Sequence, residues 1–282
     1  MKKIIYIGEN KINTDVTKIV FPTGEKHIRI KNLSEADDVV IVYKDPTGDV
    51  MQLGMAVDIC RRAGVFSITL VMPFVPFARQ DRIADEGDPL SIKVFANFIN
   101  SMKFDRVVMV DPHSDVTPAL FDNCIVIPQH EVVGGVVKNI ARSTQYENVL
   151  IAPDLGAAKK IKLLQDHLYH HYQYACCTVQ CDKVRDPTTG KISGFRILDG
   201  IVKDKACVIV DDICDGGGTF LGLGVELLKA GASELYLVVT HGIFSKGTKA
   251  IFELFDLVLS SESFPSPKGV FQFTIEELKE YV

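Results

Sequence analysis

The sequence lacks any apolar run that approaches the length of a membrane span, and its start is too short in apolar residues for a signal peptide. It also lacks an excess of positive charge, since 31 Lys and Arg are set against 36 Asp and Glu, for a net charge of -5. We therefore expect neither a membrane nor a nucleic acid among its partners. A polyanionic ligand has to be attracted by a local basic patch.

Two short motifs are missing as well. None of the seven cysteines forms a Cys-x-x-Cys pair, and their odd number favours reduced thiols in the cytoplasm over a disulfide framework. No Gly-x-x-x-x-Gly-Lys-Ser/Thr loop is present, so an ATP ligand is not held as in P-loop enzymes.

What the chain does have is a regular alternation of apolar strands and amphipathic helices over 282 residues. The predicted strands are 3–7, 39–43, 66–72, 106–110, 148–152, 174–179, 207–210, 234–239 and 256–260. The predicted helices are 49–63, 91–102, 131–141, 155–168, 219–230, 246–254 and a short one from Thr274. Such alternation predicts mainly parallel sheets flanked by helices.

The order of elements restarts near residue 142, which predicts two α/β domains, residues 1–142 and 143–282. A chain of this length is sufficient for two domains of ordinary size. Residues 182–200 contain Pro187 and Gly190 and show no helical periodicity. We predict an exposed hairpin or flexible flap over this segment.

The stretch 207–219 is the most informative part of the sequence. A buried strand is followed by Asp211 and Asp212, then by three consecutive glycines at 216–218, and helical spacing begins at Thr219. Glycines allow backbone N–H groups to converge on one concavity, and phosphates bind there at a helix N-terminus. The alternative is an ordinary tight turn in which Asp215 caps the helix.

Polar side chains also follow three other predicted strands. Arg79, Gln80 and Arg82 follow one strand, where guanidinium groups suit phosphate oxygens, although a surface ion-pair cluster is the alternative. His113 follows the next strand and suits either a divalent metal or proton transfer. Asp154 follows a strand of the second half, where capping the helix and binding a metal are equally consistent with the sequence.

The stretch 207–219 resembles the ribose-5-phosphate loop of type I phosphoribosyltransferases. The motifs taken together, over about residues 21 to 240, resemble the ribose-phosphate pyrophosphokinase family, also called phosphoribosyl diphosphate synthetases. The motifs that carry this resemblance are Phe21-Pro-Thr-Gly-Glu25, Arg79-Gln-Asp-Arg82, Asp111-Pro-His113, Pro153-Asp-Leu-Gly156, Lys183-Val-Arg185 and Val208 to Thr219.

The resemblance implies two tandem phosphoribosyltransferase-like domains and a role in nucleotide biosynthesis. It implies transfer of the diphosphoryl group of Mg-ATP to the 1-hydroxyl of ribose 5-phosphate, with AMP released. It also implies a homo-oligomer, a dimer or a hexamer, in which the 21–25 motif serves a neighbouring subunit.

The same resemblance implies roles for individual residues. The expected ATP contacts are Phe21, Thr23, Gly24, Glu25, Arg79, Gln80 and Arg82. The expected Mg²⁺ ligands, direct or through water, are His113 and Asp154. The expected catalytic residues on the flap are Lys183 and Arg185. The expected ribose phosphate site comprises Asp211, Asp212, Asp215, Gly216, Gly217, Gly218 and Thr219.

The sequence departs from the family at two places. Gly216 replaces the first Thr of the usual Asp-Thr-Gly-Gly-Thr loop, which removes one donor for a terminal phosphate. This raises the hypothesis that the acceptor is a larger 5′-substituted ribose, such as ADP-ribose. Residues 114–118 replace a Gln-rich run, which places phosphate or nucleotide regulation in doubt.

Two other classes of protein share some of these features. A phosphoribosyltransferase that consumes the diphosphate product explains the 207–219 loop but not residues 79–82, His113 or the two α/β halves. A non-catalytic partner of the synthetase is expected to have lost flap or metal residues, and Lys183, Arg185, His113 and Asp154 are all present.

Overall fold

The apolar runs of the sequence become strands that are buried along most of their length, as parallel strands covered on both faces should be. The computed structural model describes residues 2–8, 15–185 and 192–282. The chain divides into two compact units, each of which is built around a mainly parallel sheet flanked by helices. The α/β class predicted from the sequence is therefore confirmed.

Unit 1 comprises Met1–Ile127 together with Glu277–Val282. Its strands form a five-stranded parallel sheet in the order β1-β4-β5-β6-β7, with β2 and β3 as a separate antiparallel pair. The elements in chain order are β1 (Lys2–Ile7), β2 (Val16–Val20), β3 (Lys26–Ile30), β4 (Asp38–Tyr43), α1 (Met51–Arg62), β5 (Ser67–Met72), α2 (Ser91–Ser101), β6 (Arg106–Val110), α3 (Val116–Ala119) and β7 (Cys124–Ile127).

Unit 2 comprises Pro128–Glu276 and contains a seven-stranded sheet in the order β10-β9-β8-β11-β12-β13-β14. Only β9 and β10 pair antiparallel among its described strands. The elements are α4 (Gln129–Ser143), β8 (Asn148–Ala152), α5 (Ala158–Tyr172), β9 (Cys177–Arg185), β10 (Ile192–Asp199), β11 (Ala206–Cys214), α6 (Gly218–Lys229), β12 (Glu234–Gly242), α7 (Lys249–Leu254), β13 (Leu257–Ser261) and β14 (Phe271–Phe273). A 3-10 helix, Glu276–Glu280, starts at the last residue of unit 2 and otherwise belongs to the C-terminal segment of unit 1.

The sheet of unit 2 brings several loops to one edge. Strand β11 pairs in parallel with β8 on one side and β12 on the other, so the segments that follow these three strands lie together. Strand β9 also runs parallel to β8, with Gln180 opposite Ala152, and then continues past the end of β8. Lys183, three residues beyond Gln180, is thereby brought to the level of Asp154.

Several predicted elements differ from the structure in extent. The strand predicted at 207–210 continues to Cys214, because β12 pairs with it as far as Gly242. Helix α7 begins at Lys249 rather than at 246, since residues 245 and 246 form a turn that ends at Gly247, with φ +78°. The tail is a 3-10 helix rather than an α-helix from Thr274. No strand was predicted from the sequence at the positions of β2, β3, β7 or β14.

The predicted domain boundary after residue 142 and the boundary of the compact units do not coincide. The units divide after Ile127, because helix α4 packs against α5 and β12 of the second unit. The domain limits at 142 and 143 stay a prediction.

No helix among the described residues has both the length and the apolar character that crossing a bilayer requires. All seven cysteines are free thiols. Cys60 and Cys207 are completely buried, as expected for small apolar core residues.

Candidate active site

The acidic pair of unit 2 lies within strand β11. Residues 208–210 are completely buried, and Asp212 keeps 6% of its surface exposed. The Oδ1 of Asp211 accepts the backbone N–H of Asp212 at 2.9 Å. Burial raises the pKa of Asp211 well above its ordinary value, and the neighbouring charges of Asp212 and Asp154 act in the same direction. The pair therefore presents concentrated negative charge that hydroxyl donors or a cation would stabilise.

The glycine-rich loop after β11 is held by side chains from the neighbouring segment. Asp215 Oδ1 accepts the Ser245 hydroxyl at 2.6 Å, and the Asp215 carbonyl accepts the Ser245 N–H at 3.0 Å. Gly217 has φ +74°, and a Cβ there would lie 2.8 Å from Ile251 Cδ1, so both backbone and space require glycine.

Helix α6 begins at Gly218 immediately after this turn. Its N-cap residue, Gly217, has no side chain that could cap it, and a Cβ on Gly218 would meet nothing within 4 Å. A helix N-terminus approached by so little side-chain bulk favours an anion.

Asp154 and Lys183 form the most direct polar contact at this edge of the sheet. Lys183 Nζ lies 2.6 Å from Asp154 Oδ2, and their side chains are 21% and 27% exposed. Asp154 Oδ1 also accepts the N–H of Ala157 at 3.0 Å, at the residue that precedes α5. The carboxylate thus holds the first turn of the helix and a lysine at once, and it holds that lysine on a defined side of the sheet.

Strands β9 and β10 pair antiparallel in the segment for which an exposed hairpin or a flexible flap was predicted, residues 182–200. Phe195 pairs directly with Lys183 across the two strands, so their side chains share a face. Phe195 packs on α6 at Gly222, where a Cβ would lie only 2.3 Å from Phe195 Cε2. Because Gly222 has no side chain, the Phe195 ring can pack closely on α6. This contact helps to hold the strand pair that carries Lys183.

Arg185 is the last residue of β9. Its side chain, and residues 186–191 of the predicted flap, lie outside the described part of the structure. The catalytic role expected for Arg185 stays a prediction.

In unit 1, the loop with the expected ATP contacts Arg79, Gln80 and Arg82 lies beside the loop with the expected metal ligand His113, because they follow adjacent strands β5 and β6. The Ser114 hydroxyl donates to Asp81 Oδ2 at 2.6 Å and joins them directly. The residues next to this hydrogen bond in sequence that were singled out earlier are exposed: Arg79, Gln80, Arg82 and His113. The structure thus brings together the two strand-end clusters that the sequence indicated separately.

Each of these loops begins at a residue with left-handed backbone. Phe77 has φ +63° and the buried Asp111 has φ +39°, and a non-glycine residue adopts such values only when its surroundings impose them. The Phe77 ring occupies the space over Gly48, where a Cβ would lie 2.3 Å from Phe77 Cε2. Packing therefore fixes the direction in which the chain leaves β5.

The remaining expected ATP residues lie at the tip of the β2–β3 hairpin. The Phe21 N–H donates to the Glu25 carbonyl at 2.9 Å, and the Thr23 hydroxyl donates to Glu25 Oε2 at 2.7 Å. Gly24 has φ +89°, and all five residues of the turn are exposed. The structure shows no other expected site residue at this turn among those it describes.

One site element was missed at the sequence level. Segment 243–247 was assigned in part to helix α7, but its backbone binds the glycine-rich loop, and the stem of Lys246 lies over Gly216. Gly247 was the available signal, since a glycine at the second position of a predicted helix indicates a turn.

The donor set of unit 2 suits a hard cation in part. Asp154, Asp211 and Asp212 offer carboxylate oxygens, which are the ligands that Mg²⁺ prefers. Within residues 2–8, 15–185 and 192–282, however, no three acidic, His or Cys side chains are arranged to hold an ion. This fits an ion that keeps several water and phosphate oxygens and takes few ligands from the protein.

Comparison with known proteins decides the family. Residues 6–102 match the family model described as the N-terminal domain of ribose phosphate pyrophosphokinase, and residues 130–277 match the phosphoribosyl transferase domain. A ribose-phosphate pyrophosphokinase from Hyphomonas neptunium is 34% identical over 80% of this chain and 70% of its own. The chain belongs to the ribose-phosphate pyrophosphokinase family.

Two further similarities extend over nearly the whole chain. A ribose-phosphate pyrophosphokinase from Mycoplasma genitalium is 29% identical over 95% of this chain and 82% of its own. The crystal structure of phosphoribosylpyrophosphate synthetase from Mycobacterium smegmatis is similar with a TM-score of 0.80, over 94% of this chain and 88% of that one, at 23% identity. The likeness of that structure bears on the fold, and the sequence relatives establish the ribose-phosphate pyrophosphokinase family.

Proposed function

We propose that the protein transfers the β,γ-diphosphoryl group of Mg-ATP to the 1-hydroxyl of ribose 5-phosphate and releases AMP. The hydroxyl oxygen bonds to the β-phosphorus while the bond from that phosphorus to the α-phosphate oxygen breaks. The observation that carries the proposal is the contact between Lys183 and Asp154, at the sheet edge that also bears the acidic pair and the glycine-rich loop.

The acceptor is bound by β11 and the loop after it. Asp211 and Asp212 accept hydrogen bonds from the ribose hydroxyls, and the N–H groups of residues 215–219 hold the 5′-phosphate. The start of α6 at Gly218 and the left-handed turn at Gly217 support this assignment.

Lys183 supplies positive charge to the migrating diphosphoryl group, with Arg185 assigned beside it from the family motif. A phosphoryl transition state spreads charge over its oxygens, so positioned cations supply most of what the protein contributes. Asp154 keeps the ammonium in place before the substrate arrives, and the Phe195 contact with Gly222 positions the hairpin beneath it.

ATP is bound by the loops of unit 1 and by the β2–β3 turn. Arg79, Gln80 and Arg82 are exposed and follow the carboxyl end of β5, where guanidinium groups reach phosphate oxygens. Mg²⁺ would neutralise charge on the triphosphate when bound, and His113 in unit 1 and Asp154 in unit 2 are each assigned as a ligand, direct or through water. Both Asp154 oxygens already accept one hydrogen bond, and each retains a second acceptor site.

Self-association is part of the proposal. Val20 and Phe21, 70% and 46% exposed, lie next to each other at the β2–β3 hairpin and offer apolar surface that a second subunit would bury. We assign the 21–25 turn to the ATP site of a neighbouring subunit, in a dimer or a hexamer. The free thiols support a reducing compartment such as the cytoplasm.

A larger 5′-substituted ribose such as ADP-ribose is the second candidate acceptor. Gly216 offers no side-chain donor, and a phosphate diester in the loop has one free oxygen fewer to satisfy. The atoms nearest to the place of a Gly216 Cβ are methylene carbons of Lys246, at 3.2 to 3.5 Å. The stem of a lysine therefore takes the space beside Gly216, and the ammonium of a lysine can bind a second phosphate.

The test is AMP release together with mass spectrometry of the product. The enzyme is incubated with Mg-ATP and either ribose 5-phosphate, ADP-ribose or no acceptor. We expect acceptor-dependent AMP and a product heavier than the acceptor by one diphosphoryl group. Turnover with only one acceptor identifies the substrate, whereas no AMP with either, or ATP breakdown independent of acceptor, contradicts the proposed function.

A further inference from the structure

A lysine occupies the space that Gly216 leaves open. A Cβ built on Gly216 would lie 3.2 Å from Cδ, 3.3 Å from Cε and 3.5 Å from Cγ of Lys246. Gly216 lacks the positive φ of Gly217, so its backbone accepts other residues. A side chain at 216 and the lysine stem therefore compete for one volume, and the chain uses it for the lysine.

The segment that bears Lys246 is fixed on the loop by its backbone. The N–H groups of Ile243 and Phe244 donate to the Cys214 carbonyl at 2.9 and 3.0 Å, and that of Ser245 donates to Asp215 at 3.0 Å. Phe244 is buried, and Gly247 closes the turn by donating to its carbonyl at 2.8 Å. The start of the Lys246 side chain is therefore held in place relative to Gly216.

The Lys246 ammonium is available for a ligand. Lys246 is exposed, and within the described residues its nitrogen has no hydrogen bond or ion pair. The nearby anion Asp215 already accepts the Ser245 hydroxyl, and Lys183 is paired with Asp154. A cation one bond beyond Cε, beside the glycine turn that precedes α6, is placed to bind a phosphate oxygen.

We propose that Lys246 binds the phosphate end of the acceptor and takes the place of a side-chain donor at position 216. This inference rests on the proposed function for the identity of the site. Its chemistry is a phosphate oxygen bound by an ammonium, and the oxygen belongs either to the 5′-phosphate itself or to a second phosphate attached to it.

The main test is Lys246→Met, which keeps the stem and removes the ammonium. Lys249→Met is the matched control. Lys249 lies three residues further along the chain, its side chain is 92% exposed, and its Nζ is 4.0 Å from Glu253 Oε1. Initial rates and calorimetric binding are measured with ribose 5-phosphate and with ADP-ribose. We expect Lys246→Met to raise KM and Kd for the acceptor by about ten- to a hundred-fold, with KM for ATP unchanged.

The two acceptor arms separate the possible sources of the phosphate. A loss with ribose 5-phosphate assigns Lys246 to the 5′-phosphate, and a loss confined to ADP-ribose assigns it to the second phosphate. Equal behaviour of Lys246→Met and Lys249→Met with both acceptors overturns the inference. If the wild type binds an acceptor but forms no AMP, the proposed function is overturned, and the calorimetric comparison of the two variants still tests the role of Lys246. If the wild type binds neither acceptor, the proposed function and the role of Lys246 are both overturned.

A pair of substitutions tests the shared volume. Gly216→Thr alone is expected to displace the lysine stem and weaken acceptor binding. Gly216→Thr combined with Lys246→Gly, which frees the space and restores a hydroxyl, is expected to bind ribose 5-phosphate more tightly than either single variant. Strictly additive effects in this cycle contradict direct competition for the space.

Discussion

The candidate acceptor region and the candidate ATP region are held together in different ways. In unit 2 the charged groups are largely buried and already paired, as Lys183 is with Asp154 and as Asp211 is with the N–H of Asp212. In unit 1 the cationic side chains are exposed, and what is fixed is the backbone beneath them, through Phe77, Asp111 and the Ser114 contact. These contacts position side chains in the acceptor region and loop backbone in the ATP region.

The difference follows from what each region is proposed to bind. A sugar phosphate is small and needs groups in place before it arrives, since ordering them on binding costs free energy. A nucleotide triphosphate is large and carries its own charge, so exposed arginines on a fixed loop are sufficient to capture it. Substitutions in unit 2 should therefore have larger effects on turnover than those in unit 1.

The largest expected effect is that of Lys183→Ala. Removing the cation is expected to lower kcat by about 10²- to 10³-fold, because charge on the migrating group loses a fixed partner. The melting temperature should change little, since a partly exposed ion pair stabilises a protein weakly. Lys162→Ala, which breaks an exposed helical pair with Asp166, is the control, and kcat for both variants is measured at saturating substrates. Turnover close to that of the control variant contradicts the catalytic assignment.

Asp211→Asn is expected to lower kcat/KM for the acceptor by about ten- to a hundred-fold, since a charged hydrogen-bond acceptor is lost. Its effect on stability should have the opposite sign. The folded pKa of Asp211 is raised, so stability falls as pH rises above the unfolded value of 3.8, and this loss persists at neutral pH. The uncharged asparagine side chain avoids this loss of stability, so the melting temperature of the variant at pH 7 should be higher than that of the wild type.

Thermal denaturation at pH 4 and pH 7 checks this sign, and the difference between variant and wild type should be smaller at pH 4. If the variant instead melts at a lower temperature than the wild type at pH 7, the Asp211 carboxylate stabilises the fold through contacts that outweigh the cost of its burial.

The sequence predicted the acceptor region better than the ATP region, for a physical reason. In unit 2 the site follows a long apolar strand, and glycines 216–218 identify the turn by composition alone. In unit 1, Arg79 and His113 are far apart along the chain, so the sequence does not reveal the contact of Ser114 with Asp81. The left-handed backbone of Phe77 cannot be recognised from its residue type either. Short strands such as β7 and the β2–β3 hairpin are stabilised by their neighbours, so local pattern did not reveal them.

The same limit applies within unit 2. Lys246 has a common residue type at an exposed position, and only the three-dimensional fold places its stem over Gly216. The Asp154 contact with Lys183 joins residues 29 positions apart and depends on how far β9 continues beyond β8. Motif order indicated that both residues matter, and the sheet register explains why they meet.

An intermediate effect is expected for Gly222→Ala, which tests whether the hairpin is preorganised. A Cβ at this position overlaps the Phe195 ring, so the hairpin has to shift and Lys183 with it. We expect kcat to fall several-fold. Gly54→Ala is the matched control, because it too lies inside a helix and its Cβ would make an ordinary 3.5 Å contact with Met102.

The control should be neutral or stabilising by up to about 1 kcal/mol, as alanine favours helix. Both variants are compared by kcat and by thermal denaturation. A Gly222→Ala variant as active as Gly54→Ala would mean that the hairpin does not depend on this contact for its position.

The smallest effect is expected in unit 1, from Ser114→Ala. The variant loses the hydrogen bond to Asp81 that joins the two loops, a contribution of about 1 kcal/mol for a partly buried pair. Because the loops retain their own packing, KM for ATP should rise only a few-fold, with KM for the acceptor unchanged. Ser101→Ala, which removes an exposed hydroxyl bonded to the Phe98 carbonyl at the end of α2, is the control. An equal rise in both KM values would mean that Ser114 acts on more than nucleotide binding, and the contrast between the two regions would then be weaker than their geometry indicates.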